Sequence, residues 1–173
     1  MIKNLILTGM MGVGKSTIGK SLASKLSYNY IDVDKIIEEL EGCSIKTIFK
    51  IKSEKYFREL EKKTTLELLK KSQSVIALGG GAFLDRSIRN AVKNSCVSFW
   101  LDVNINILIK RLSKSEKRPL LLKKNKNDEV KKIYYERMKT YSEADFRIKC
   151  DSMLKDEIIN KILKLYEKSR NKI

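Results

Sequence analysis

The sequence predicts an α/β fold, a parallel sheet with helices packed over it. Three observations carry that reading. Short apolar runs alternate with helical patterns, as strand–helix–strand units require. The first run, Ile2 to Leu7, leads directly into the glycine-rich stretch GMMGVGKST, Gly9 to Thr17. No internal repeat, low-complexity tract or flexible linker interrupts the 173 residues, a length that suits a single domain, 1–173, with a real core.

Taken in order, the elements justify themselves. Gly9 to Thr17 fits G-x-x-x-x-G-K-[ST], a phosphate-binding loop. Its glycines let the backbone turn tightly so that N–H groups face phosphate oxygens, and the helix that follows aims its positive end at the same place. In that chemistry Lys15 reaches the β- and γ-phosphates and the Ser16 hydroxyl ligates Mg²⁺. The context agrees: an apolar strand precedes the loop, and Ile18, Leu22, Ala23 and Leu26 give the apolar face of a helix after it. The chain is therefore read as binding a nucleoside triphosphate.

YIDVD, Tyr30 to Asp34, predicts a short strand that ends in two carboxylates. Asp32 and Asp34 point the same way if the strand runs through both, one toward a metal and the other toward a substrate hydroxyl. Alternatively, Asp34 caps the helix-like run Lys35 to Leu40. Ser44 to Lys71 predicts a short helix and a long one, broken near Ser53. In the long helix, FRELE puts Arg58 within reach of Glu54 and Glu61, a surface pairing worth only tenths of a kcal/mol. The same guanidinium fork would also grip a ligand carboxylate, and sequence physics leaves both open.

Val75 to Gly81, VIALGGG, predicts a buried strand ending where the backbone must come close to something and offer bare N–H groups. Cys96 to Leu101 is the next strand, with Trp100 in the core. A helix from Asn104 to Leu112 carries Arg111 near its end. The segment Ser113 to Asn127 then holds six basic residues against one acid, and Pro119 forbids a helix through its middle. Facing a phosphate loop, a basic segment of this kind is expected to act as a closing lid that excludes water and brings Arg118 to the transferring phosphate. A helix over Asp128 to Ala144, a strand over Asp145 to Lys149 and a helix from about Leu154 to Tyr166 complete the chain, with Glu167 to Ile173 expected to fray.

Composition excludes several function classes. There is no histidine, so histidine-based triads, Cys-His pairs and histidine-bound metals are ruled out, and acid–base work falls to carboxylate, lysine or tyrosine. Cys43, Cys96 and Cys150 lie far apart without metal-site spacing, which predicts reduced thiols in a cytoplasmic protein. The opening MIKNLILTGM does not read as a signal peptide, and no run of about 18 apolar residues predicts a membrane span. The net charge of +16 comes from 37 basic residues, 29 of them lysines spread along the chain, so no nucleic-acid surface is predicted.

The set GMMGVGKST, D-V-D, F-R-x-x-E, G-G-G, R-P-L-L and a late R-x-x-x-Y resembles the shikimate kinase family in order and spacing, over essentially the whole chain. The resemblance implies a P-loop, nucleoside-monophosphate-kinase-like α/β/α fold with a five-stranded parallel sheet, a substrate-binding region at about 33–62 and a lid at about 113–126. It implies transfer of the γ-phosphoryl of ATP to the 3-hydroxyl of shikimate, a step toward chorismate and the aromatic amino acids, by a cytoplasmic monomer with Mg²⁺ and without nucleic-acid or membrane partners. Carried over by motif, Gly12, Val13, Gly14, Lys15, Ser16 and Thr17 hold the phosphates, while Ser16 and Asp32 hold the metal. Asp34 takes the reacting hydroxyl, as base or as orienter. Arg58, Arg137 and the backbone of Gly79, Gly80 and Gly81 hold the substrate carboxylate. Arg118 contacts the phosphates, and Arg111 stacks on adenine. Ser53 stands where the family has a glycine, and the stretch Cys150 to Ser152 lacks the basic or proline residues often found there. The alternatives are a related small-molecule kinase such as a gluconate kinase, against which Arg58 and the triple glycine argue, and a basic nucleic-acid-stimulated ATPase.

Overall fold

The computed structural model describes residues 3–113 and 126–170. Five parallel strands form one sheet in the order β2-β3-β1-β4-β5, where β1 is Asn4–Thr8, β2 Asn29–Asp32, β3 Ser74–Ala77, β4 Cys96–Asp102 and β5 Phe146–Lys149. The three inner strands are buried along their whole length, which explains their near-continuous apolar sequences: helices cover both faces. The edge strands β2 and β5 are only partly buried. Leu5, Ile6 and Leu7 of β1 are fully inaccessible, and burying each such side chain contributes about 1.5–3 kcal/mol.

The helices are α1 (Lys15–Leu26), α2 (Val33–Glu41), α3 (Ile45–Ile51), α4 (Glu54–Leu69), α5 (Arg86–Ser95), α6 (Ile105–Ser113), α7 (Lys126–Tyr141) and α8 (Lys155–Arg170). Ile18, Leu22 and Ala23 bury one face of α1 as their spacing predicts. Trp100 is a core residue, 2% exposed. No helix among the described residues is long and apolar enough to cross a membrane. All three cysteines are unpaired, and burial pushes the Cys150 thiol up to about 11.

Several boundaries differ from those expected. The strand in YIDVD stops at Asp32 and α2 begins at Val33, so Asp34 sits in the first turn of a helix and not on a strand. Val33 looked like strand because it is β-branched and apolar, yet it is fully buried as a helical residue against the core. Nor is Asp34 the helix cap, which is Asp32. β1 is displaced to Asn4–Thr8, and α7 starts at Lys126 and ends at Tyr141. Leu154, expected on the apolar face of the last helix, precedes α8 and is 74% exposed. That helix does not fray after Tyr166. It continues to Arg170, anchored by the fully buried Tyr166, whose hydroxyl donates to the Lys3 carbonyl.

Ser53 has φ 129° and ψ 163°, a region that is nearly glycine-only. Its hydroxyl offsets part of the strain by accepting from the Tyr56 N–H at 3.3 Å and capping α4. Ser53→Gly is therefore expected to stabilise the fold by about 1 kcal/mol, the relieved strain exceeding the few tenths lost with the cap. In a chain of this size that raises the melting temperature by about 2–4 °C. Thermal unfolding checks this, and a lower melting temperature would refute it.

The fold brings three strand ends together. Asp32 pairs in register with Ala77, and Ala77 with Leu7. The phosphate loop, the Asp32–Asp34 pair and the triple glycine thus leave one edge of the sheet side by side, where parallel α/β sheets bind ligands.

Candidate active site

At that edge lies a cleft of about 960 Å³. Lys15 and Ser16 line one part of it, Asp32 and Asp34 another, and Arg58 and Arg137 a third.

The phosphate loop is built for close backbone approach. Gly12 and Gly14 have φ 80° and 100°, which side-chain-bearing residues rarely adopt. Gly14 is the N-cap of α1 and has no side chain to occupy the helix's first N–H groups, so the positive end of α1 faces the cleft. The Lys15 ammonium donates to the carbonyls of Gly9 at 2.8 Å and Met10 at 3.0 Å, which ties the loop across its mouth. Val13 is buried and does not line the cleft, whereas Thr17 is exposed and lines it.

Asp32 departs from the usual behaviour of an aspartate at a helix start. An aspartate N-cap normally accepts from the helix's own N–H groups, but Asp32 makes no such bond. Its Oδ2 accepts instead from the Ser16 hydroxyl at 2.8 Å and the Tyr30 hydroxyl at 3.0 Å. A hydroxyl beside a carboxylate is a hard-oxygen donor set of the kind Mg²⁺ prefers. Among the described residues no cluster of three or more Cys, Asp and Glu could hold a metal unaided. The donor set therefore fits a magnesium ion that draws its remaining ligands from phosphates and water.

Asp34, in the first turn of α2, has a favourable position for negative charge. Its carboxylate lies over Gly79: a Cβ built there would meet Asp34 Oδ1 at 2.5 Å and Glu61 Oε1 at 2.6 Å. A Cβ on Gly81 would collide with the Arg58 guanidinium. None of Gly79, Gly80 and Gly81 has positive φ, so Gly79 and Gly81 are required for space and not for conformation, while a Cβ on Gly80 would meet only ordinary contacts, the nearest at 3.5 Å. At Gly79 and Gly81 that is the close approach expected of the segment.

Arg58 makes both pairings the sequence allowed, to Glu61 at 2.7 Å and Glu54 at 3.2 Å, but the first is no surface pair. Glu61 is 3% exposed. Burial pushes its carboxyl above the ordinary range, against the attraction of Arg58, which pulls it down. Arg58 also lies 5.2 Å from the Phe57 ring centre and 6.0 Å from that of Phe49. So held, the guanidinium is fixed before any ligand arrives. Arg137, on α7, donates to the Gly80 carbonyl at 2.9 Å, and the Tyr141 hydroxyl donates to the same oxygen. Arg58 and Arg137 therefore both reach the triple-glycine segment.

Arg111 is exposed on α6 and does not line the cleft. Its charge acts on the Cys150 thiol, and Asp151 Oδ1 accepts from the Asn104 N–H at 2.5 Å, so α6 and the 150–152 segment are neighbours. Arg118 and most of the expected lid, 114–125, lie outside the described residues. Sequence reasoning missed Tyr30 and Tyr141, and it took Glu61 for a surface residue. The i, i+3 spacing of Arg58 and Glu61 and the i, i+2 spacing of Tyr30 and Asp32 were the available signals.

The profile of the shikimate kinase family matches residues 11–167. A shikimate kinase of Sulfurihydrogenibium sp. is 41% identical over 162 residues, 94% of this chain and 96% of the relative. The chain belongs to the shikimate kinase family. It is accordingly a phosphotransferase that phosphorylates shikimate at the expense of ATP. A shikimate kinase from Acinetobacter baumannii, solved in complex with shikimate, superposes with a TM-score of 0.92 at 29% identity, covering 98% of this chain and 95% of that one. A gluconokinase from Sinorhizobium meliloti reaches a TM-score of 0.56 at 15% identity over 99% of this chain and 97% of its own. That likeness is one of fold alone. The comparisons favour the shikimate kinase family over the gluconate kinase alternative.

Proposed function

We propose that this chain transfers the γ-phosphoryl of ATP to the 3-hydroxyl of shikimate in the cleft described above. The observation that carries the reading is one continuous cleft lined by Lys15, Ser16, Asp34, Arg58 and Arg137. Phosphoryl transfer needs alignment and charge stabilisation more than covalent help, and these groups supply both without histidine. Lys15 and the backbone from Gly12 to Thr17 hold the phosphates. Ser16 and Asp32 would hold Mg²⁺, which when bound would supply charge neutralisation for the phosphates. Asp34 takes the reacting hydroxyl, and Arg58 and Arg137 grip the substrate carboxylate at the other end, beside the backbone of Gly79 to Gly81.

Arg111 stacks on adenine, with the 150–152 segment on the other side of the base. Arg118 is assigned to the transferring phosphate by its place in R-P-L-L alone. The side chains assigned to phosphate, hydroxyl and carboxylate all come from one chain, which supports a monomer. The unpaired thiols support a cytoplasmic enzyme.

Release of ADP from Mg²⁺ and ATP, compared among shikimate, gluconate, single-stranded nucleic acid and buffer alone, tests the reading. Turnover is expected with shikimate only, and phosphorus NMR of the product should place the phosphate on the 3-hydroxyl. Stimulation by gluconate or nucleic acid would overturn the substrate site while leaving the phosphate loop intact.

A further inference from the structure

Tyr30 belongs to none of the motifs that define the site, yet its hydroxyl meets the proposed metal ligands. Ser16 and Gly19 are three residues apart on α1 and share a helix face, while Tyr30 and Asp32 are two apart on β2 and share a strand face. The two pairs pack against each other. The Tyr30 ring lies against Gly19, where a Cβ would stand 2.6 Å from Tyr30 Cε2, so only glycine leaves room for it. The hydroxyl then comes 3.0 Å from Asp32 Oδ2, the same oxygen that accepts from Ser16 at 2.8 Å.

We propose that Tyr30 is a positioning residue for the metal: its hydroxyl fixes the Asp32 carboxylate in the orientation in which Asp32 and Ser16 receive Mg²⁺. This rests on the assignment of Ser16 and Asp32 to the metal made above.

The geometry suits that role. With two donors on Oδ2, the carboxylate cannot rotate to cap α2, which is what an aspartate at that position would otherwise do. Its Oδ1 accepts no hydrogen bond among the described residues and stays available to metal-bound water. The Ser16 proton is directed at Asp32, which leaves the lone pairs of the Ser16 oxygen for the ion. A phenylalanine at position 30 would fill the same space against Gly19 and leave Asp32 held by Ser16 alone. Groups that orient metal ligands from outside the coordination sphere are worth about 10–100-fold in metal affinity or activity.

The test is Mn²⁺ binding to the enzyme–ADP complex, followed by electron paramagnetic resonance, for the parent and Tyr30→Phe. ADP affinity without metal is measured alongside. The variant should bind Mn²⁺ about 10-fold more weakly, at the lower end of that range, with unchanged metal-free ADP affinity. Tyr30→Leu, which also keeps an apolar group against Gly19, should behave the same way. Equal or tighter Mn²⁺ binding in the folded variants would overturn the proposal, as would parallel losses of Mn²⁺ and metal-free ADP affinity, which a packing role alone would give. If the parent itself binds ADP with no Mn²⁺ at Ser16 and Asp32, the metal assignment fails, and this proposal with it.

Discussion

Lys15→Ala should lower kcat/KM by roughly 10²–10³-fold or more, the scale of losing one preorganised charge at a developing negative centre. The ammonium has two tasks in the geometry. It donates to the Gly9 and Met10 carbonyls at 2.8 and 3.0 Å, which keeps the loop closed around the space for phosphate. In the proposed reaction it would also place a positive charge beside the oxygens that gain charge in transfer. Alanine removes both, so nucleotide binding should weaken together with turnover. Lys15→Arg separates the tasks. It keeps the charge but presents a planar fork to a site built for a compact ammonium between two carbonyls, and it should recover only part of the loss. Steady-state kinetics with ATP and shikimate, with circular dichroism as a folding control, provide the check. Full turnover by the alanine variant would remove Lys15 from the mechanism.

The order of elements and the phosphate loop were legible in the sequence because they rest on local rules. Alternating apolar runs name the strands, and G-x-x-x-x-G-K-S names the loop. What was not legible depends on contacts between distant segments. Glu61 looked like an exposed helix charge, since nothing in FRELE reveals that Gly79, far along the chain, brings the backbone over it. The Asp32–Asp34 pair was readable as two carboxylates at the end of a strand but not in its geometry, because the strand–helix boundary falls at Val33, a residue whose type suits either element. The absent cap at Asp32 explains the difficulty. Its carboxylate serves Ser16 and Tyr30 in place of its own helix, so the local capping rule fails where the site claims the group.

Asp34→Asn is the second large effect. The carboxylate is confined between the first turn of α2 and Gly79, at a position where any side chain on residue 79 would displace it. It lies in the same cleft as the phosphate loop and the Arg58–Arg137 pair, so a hydroxyl held by the substrate's other contacts would be presented to it. Asparagine has the same size and keeps one acceptor oxygen but cannot take a proton. If Asp34 is the general base, kcat should fall about 10²–10⁴-fold while ADP binding is nearly unchanged, and the loss of rate toward acid pH expected of the parent should be missing in the variant. If Asp34 only orients the hydroxyl, the asparagine oxygen still accepts that hydrogen bond. The rate then falls far less, and the acid limb survives because it belongs to another group. A pH–rate profile of both proteins separates the two roles, and an unchanged rate would exclude both.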